Sequence, residues 1–96
     1  MTTKLTQAEV FDLIAEERLY QDSIWNPSST ASNDNHSFEE WIMYIEHYIG
    51  LAKFALCTKP QQEANAIASD NMRKIGALAV AAMQNNGAPP RSKPTG

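Results

Sequence analysis

The chain has 96 residues, 43% of them hydrophobic and 20% charged, with a formal net charge of -3. That length builds one core at most, and the composition is that of a globular protein, not of a disordered or membrane-embedded one. No apolar run approaches the roughly 18 residues of a transmembrane helix and the N-terminus carries no signal-peptide core, so the expectation is a cytoplasmic protein without membrane contact. The eight Lys and Arg are scattered and form no basic stripe, which disfavours nucleic acid. One cysteine, Cys57, closes no internal disulfide and has no His or Cys at zinc-ligand spacing.

Thr6-Gln7-Ala8-Glu9 reads as a capping box, which predicts a first helix over about 7–25. Pro27 then opens a run rich in Ser, Asn and Asp, residues that bond their own backbone and favour turns, so 26–36 is expected as a mobile loop. Ser37-Phe38-Glu39-Glu40 repeats the capping pattern, with His36 at the position before it, and a second helix follows over about 38–57. Pro60, tolerated in a first turn where its missing N–H costs nothing, restarts the chain as a third helix over about 60–84. Asn85, Asn86 and Gly87 end it, and Pro89 and Pro90 forbid continuation. The expectation is a single all-α domain over 1–85 and a disordered tail over 86–96.

Three such helices are too long for a molecule of this mass to bury evenly. The second is apolar on two sides: Trp41, Ile42, Ile45, Tyr48, Ile49, Ala52 and Leu56 share one face, and Met43, Leu51 and Phe54 lie opposite, at about 100° per residue. A helix apolar nearly all round needs cover nearly all round. The three-helix bundle is therefore expected to be completed by homo-oligomerisation through Met43, Leu51 and Phe54.

Polar residues interrupt the stripes of the other two helices. Glu17 and Gln21 sit at the centre of a stripe made by Val10, Leu13, Ile14, Tyr20 and Ile24. Asn71 occupies the middle of the third helix's stripe of Ala64, Ile67, Ala68, Met72, Ile75, Leu78, Ala79 and Ala82, with Asp70 and Lys74 on its shoulder. An ionised carboxylate inside a bundle costs several kcal/mol without a partner, and Lys74 is the cation the spacing offers Glu17. Two readings stay open: a polar network that fixes helix register, and a polar pocket between helices of the kind that houses ligands. Tyr20, Trp25 and Trp41 are able to stack on a planar ligand, and Arg73 with Lys74 to hold phosphate, although core packing and a solvated pair are the commoner uses. His36 and His47 have no spacing that suggests a shared metal.

Three stretches, "EERLYQDSIW", "HSFEEWIMYIEHYIGLAKFAL" and "MRKIGALAVAAMQNNGAPPR", resemble small phage and prophage MazG-like proteins, relatives of the all-α nucleoside triphosphate pyrophosphohydrolases, and cover about half of the chain. The first carries an E-R-x-x-Q-D-x-x-W pattern at Glu17, Arg18, Gln21, Asp22 and Trp25. The resemblance implies a MazG-like helical bundle in a bacterial host cell and a cleft of nucleotide size. Enzymes of that superfamily hold Mg²⁺ with paired carboxylates, because a hard cation takes oxygen ligands, neutralises phosphates and activates water. Here the first acidic positions fall on His47, Tyr48 and Leu51, and the second on Asp70, Asn71 and Lys74, so only Asp70 is acidic and a lysine stands where a metal ligand is expected.

The leading expectation is thus a phage-type MazG-like protein that binds, and by binding sequesters, a nucleotide or signalling nucleotide without hydrolysis and without a cofactor. In it Lys74 and Arg73 meet phosphate, Gln21 and Asn71 read polar edges, Tyr20, Trp25 or Tyr48 stacks, and Glu17 orients Lys74. The enzymatic alternative is an Mg²⁺-dependent nucleoside triphosphate pyrophosphohydrolase whose metal is held by Glu17, Asp22, Glu46 and Asp70. A third reading is a phage factor that docks on a host protein through Met43, Leu51 and Phe54.

Overall fold

The computed structural model describes residues 4–25 and 36–91. The expected loop lies outside this range except for His36, as do residues 92–96 of the expected tail and the Trp25 side chain. Three helices make up the described chain: α1 over Gln7–Trp25, α2 over Phe38–Thr58 and α3 over Gln61–Asn86, with no strand among the described residues. None of them is long and apolar enough to cross a membrane.

The helix ends follow from local chemistry. Glu9 N–H donates to Thr6 Oγ1 at 3.2 Å while Glu9 Oε1 accepts from Thr6 N–H at 2.8 Å. The Ser37–Glu40 box is the same reciprocal pair, at 3.2 and 2.9 Å. Each satisfies two amides that a helix start leaves without partners. Lys59 N–H closes α2 on the Ala55 carbonyl, and Gly87, at a φ of 79° that residues bearing a Cβ resist, closes α3 on Met83. α3 therefore runs to Asn86, two residues beyond its expected end, and begins one residue late because Pro60 serves as the N-cap.

α3 is the middle element. α2 packs along it over much of its length, α1 crosses it over a shorter contact, and α1 and α2 scarcely meet. Trp41, Leu78, Ala81 and Ala82 form the buried core, with Ile45 and Tyr48 packed against it. Alanines at 64, 77, 81 and 82 are all buried. Their small side chains let two helices approach α3 from different sides, which is the packing reason for an alanine-rich third helix.

The α1 stripe departs from expectation. Glu17 and Gln21, its polar centre, are the buried residues of α1, at 9% and 3% exposure, and Ile14 is half-buried, whereas Val10, Leu13, Tyr20 and Ile24 remain exposed. The reason is geometric: α1 touches α3 along one narrow line, and no second helix reaches across to cover the flanks. Ile42, Ile49 and Leu56 of the main α2 face, and Met72 of the α3 stripe, are exposed for the same reason. Met43, Leu51 and Phe54 are exposed as well.

The α1–α3 line runs over Gly76. A Cβ there would lie 2.9 Å from Ile14 Cδ1 and 3.2 Å from Ile14 Cγ1, so the absence of a side chain sets how closely the two helices approach. Gly76→Leu is expected to lower stability by about 1–3 kcal/mol by overpacking this crossing. Gly76→Ala, which gains up to about 1 kcal/mol of helix propensity, is expected to stabilise when Ile14 is also cut to Ala, relative to Ile14→Ala alone, and to stabilise less or destabilise with Ile14 intact. Urea denaturation of the four proteins measures both effects.

Candidate functional site

Two features adjoin each other, one at the α1–α3 crossing and one on α2. The first is the crossing itself, where the approach set by Gly76 brings the polar centre of α1 onto the α3 residues that precede it by up to two turns. Arg73 donates from Nε to Glu17 Oε1 at 2.9 Å. Its Nη2 donates to Asp70 Oδ1, and Lys74 Nζ stands 3.3 Å from Asp70 Oδ2. The sequence expectation that Lys74 neutralises Glu17 is thus corrected: Arg73 does. On α3 the two cations diverge by one residue's rotation, about 100°. That turns Arg73 to α1 and Lys74 toward α2, where its ammonium lies 5.6 Å from the centroid of the Tyr48 ring.

Gln21 fastens the same crossing by donating from Nε2 to the Lys74 backbone carbonyl at 3.4 Å. Farther along α3, Arg18 donates from Nε to Gln84 at 3.4 Å, and it pairs with Asp22 of its own helix at 2.8 Å. Asn71 is 4% exposed and donates to the Ile67 carbonyl of its own helix at 2.9 Å. The amide oxygens of Gln21 and Asn71, and the Trp41 indole N–H, are buried without a hydrogen-bond partner among the described residues. Such groups carry a cost of about 1–3 kcal/mol each when left so.

Charges in the cluster shape one another. The hydrogen bond to Glu17 raises the Arg73 guanidinium above its ordinary value, burial opposes this, and Asp70 adds to it. Burial pushes the Asp70 carboxyl upward, but hydrogen bonds from Arg73 and Lys74 outweigh it and hold the group below the usual aspartate value.

The second feature is a pocket of about 300 Å³ lined by His36, Tyr44, His47 and Tyr48. His36 meets Trp41 and Tyr44 edge-on, at 5.1 and 5.5 Å between ring centroids, and His47 meets Tyr48 at 5.1 Å. The Asn86 amide donates to the His36 carbonyl at 3.2 Å and ties this entry to α2 against the end of α3. Tyr48 is shared: one wall of the pocket and the ring under Lys74.

Of the expected ligand residues, Glu17, Gln21, Arg73 and Lys74 meet at the crossing, Tyr48 joins them through Lys74, and Asn71 lies buried on α3. Tyr20 is exposed on α1, and the Trp25 side chain is outside the described residues. His36, Tyr44 and His47 were not singled out for this site. Tyr44, His47 and Tyr48 recur at i, i+3 and i+4, a signal of one flank of α2, but His36 precedes the helix and no periodicity relates it to them.

The alternative metal set, expected to draw on several helices or protomers, is not brought together within one chain. Among the described residues no three of His, Cys, Asp and Glu are grouped to hold an ion. Glu17 and Asp70 are bound to Arg73, Asp22 to Arg18, and Glu46 stands exposed on α2. No family model, curated protein or solved structure matches the chain.

Glu17 is nearly buried while the Arg73 side chain is about a third exposed (36%). A double-mutant cycle of Glu17→Gln and Arg73→Met is therefore expected to give a coupling of about 1–2 kcal/mol, less than a fully buried pair. The lowered Asp70 carboxyl has a defined sign. Its stabilisation is complete above the ordinary aspartate value and is lost as pH falls through the lower folded value. Melting temperature should fall below about pH 4 more steeply in the wild type than in Asp70→Asn.

Proposed function

We propose that this protein is a MazG-like helical protein that binds a nucleotide or signalling nucleotide without hydrolysing it. The observation that carries the reading is Lys74: an ammonium held between Asp70 at 3.3 Å and the Tyr48 ring, at the border of a pocket walled by four aromatic side chains. A pocket of about 300 Å³ is at the small end of ligand sites. It suits a planar base between rings, with sugar and phosphate reaching out toward Lys74 and Arg73.

The carboxylates support binding over hydrolysis. Magnesium-assisted attack on a phosphate needs carboxylate oxygens free to ligate the ion, whereas Glu17, Asp22 and Asp70 each accept from a guanidinium. The cations in turn are restrained: Asp70 spans Arg73 and Lys74, so an incoming phosphate competes with an internal carboxylate for both. The protein's own anion thereby sets the affinity for a foreign one.

A thermal-shift screen of nucleoside triphosphates and cyclic dinucleotides, with and without Mg²⁺, tests this. A ligand at 100 times its Kd is expected to stabilise by about 2.7 kcal/mol, a rise on the order of 10 °C for a domain of this size, equally with and without the metal. Lys74→Ala and Tyr48→Ala should weaken binding, and Asp70→Asn, which releases Lys74 and the Nη2 of Arg73 while leaving Arg73 on Glu17, should tighten it. An Mg²⁺-ligating role for Asp70 predicts the reverse for Asp70→Asn, together with Mg²⁺-dependent pyrophosphate release that Glu17→Gln abolishes. That outcome refutes the binding-only reading.

A further inference from the structure

The side of α2 turned away from α3 has a pattern that nothing inside one chain explains. Met43 and Phe54 are each 65% exposed, and Ile42 and Leu51 flank them. Gly50 lies between, and a Cβ added to it would meet nothing within 4 Å. Glycine in a helix interior costs about 1 kcal/mol relative to alanine, and no internal close approach requires it here. Met43, Gly50 and Cys57 recur every seven residues, as do His47 and Phe54, which is the repeat of a helix–helix seam.

We infer that this Met43–Gly50–Phe54 ridge seats a second copy of this chain, with the two α2 helices antiparallel across a two-fold axis near Gly50. Charge argues for the second copy and for its direction. Glu46 stands four residues before Gly50 and Lys53 three residues after it, both exposed, and neither is paired with an opposite charge among the described residues. Antiparallel pairing about Gly50 sets Glu46 of each copy beside Lys53 of the other, twice by symmetry. Parallel pairing turns the flank that carries Glu46 and Lys53 to the partner's other flank and pairs neither charge with its opposite.

The area is adequate. At roughly 200 Å² for a large apolar side chain, the exposed fractions of Met43, Phe54, Ile42 and Leu51 amount to on the order of 400 Å². Glu46, His47, Lys53 and Cys57 add the rest of the about 600 Å² per partner at which stable interfaces begin. With no side chain at Gly50, the two backbones approach closely and Phe54 of each copy reaches the Met43–His47 turn of the other.

Sedimentation equilibrium of the full chain at tens of micromolar tests this. The wild type is expected to be a dimer, and Phe54→Glu a monomer with unchanged helical circular dichroism, since Phe54 makes no core contact. Glu46→Lys and Lys53→Glu should each weaken the dimer roughly tenfold, because the axis doubles every change, and the double swap should restore it. A wild-type monomer overturns the inference and leaves the ridge to a foreign helix. A dimer indifferent to Phe54→Glu, or to both single charge swaps, overturns it too.

Discussion

Glu17 lies inside the contact between two helices, where a lone carboxylate costs several kcal/mol, so a guanidinium must reach it. Arg73 does so only because α1 comes close enough over Gly76 for its Nε to stand 2.9 Å from the carboxylate. The rest of the crossing depends on that approach. With Arg73 turned to α1, Lys74 is left to face α2. Gln21 reaches the Lys74 carbonyl across the same gap, and Asp70 closes on both cations from within α3. α1 is thereby held on α3 largely by polar contacts beside the Ile14–Gly76 approach, which accounts for its exposed flanks: the contact is narrow and directional where an apolar one would spread.

This arrangement makes the small domain electrically balanced at the α1–α3 crossing. Two carboxylates and two cations alternate along the crossing, and the cluster carries no net charge when all four are ionised. Such a set does not draw anions by long-range field. In the proposed reading the cluster selects at short range, by offering a phosphate the hydrogen bonds that Asp70 accepts from Arg73 and Lys74. The rings of the pocket beside Lys74 would, in that reading, supply the apolar part of the contact and the fit to a flat group.

Much of this architecture was legible in the sequence, because helix starts are local events. The two capping boxes at Thr6 and Ser37 and the stops at Pro60 and Gly87 depend on residues three or four apart, and they mark the helices to within two residues. The burial of Glu17, Gln21 and Asn71 was legible for a related reason, since 3.6-residue phase states which side chains share a face. What phase does not state is which neighbour that face meets. Arg73 and Lys74 are adjacent in sequence and both near the stripe, and only the positions of α1 and α2 around α3 decide that the arginine takes Glu17. The pocket was hidden likewise, since His36 precedes α2 and is held beside Tyr44 and His47 through Asn86, a contact fifty residues away in sequence.

The two unexplained faces of α2 share a residue. His47 lines the aromatic pocket, and in sequence it lies three residues before Gly50, on the flank of the outer ridge. A second copy seated on that ridge therefore lies against the pocket's edge, and whatever orders His47 for one contact reduces the entropy lost in making the other. Coupling of this kind is reciprocal: if assembly tightens the pocket for a ligand, the ligand tightens the assembly by the same factor. With the proposed ligand and the proposed second copy both in place, a helix apolar on two sides would give a chain of 96 residues a means of making occupancy of the aromatic pocket depend on its own concentration.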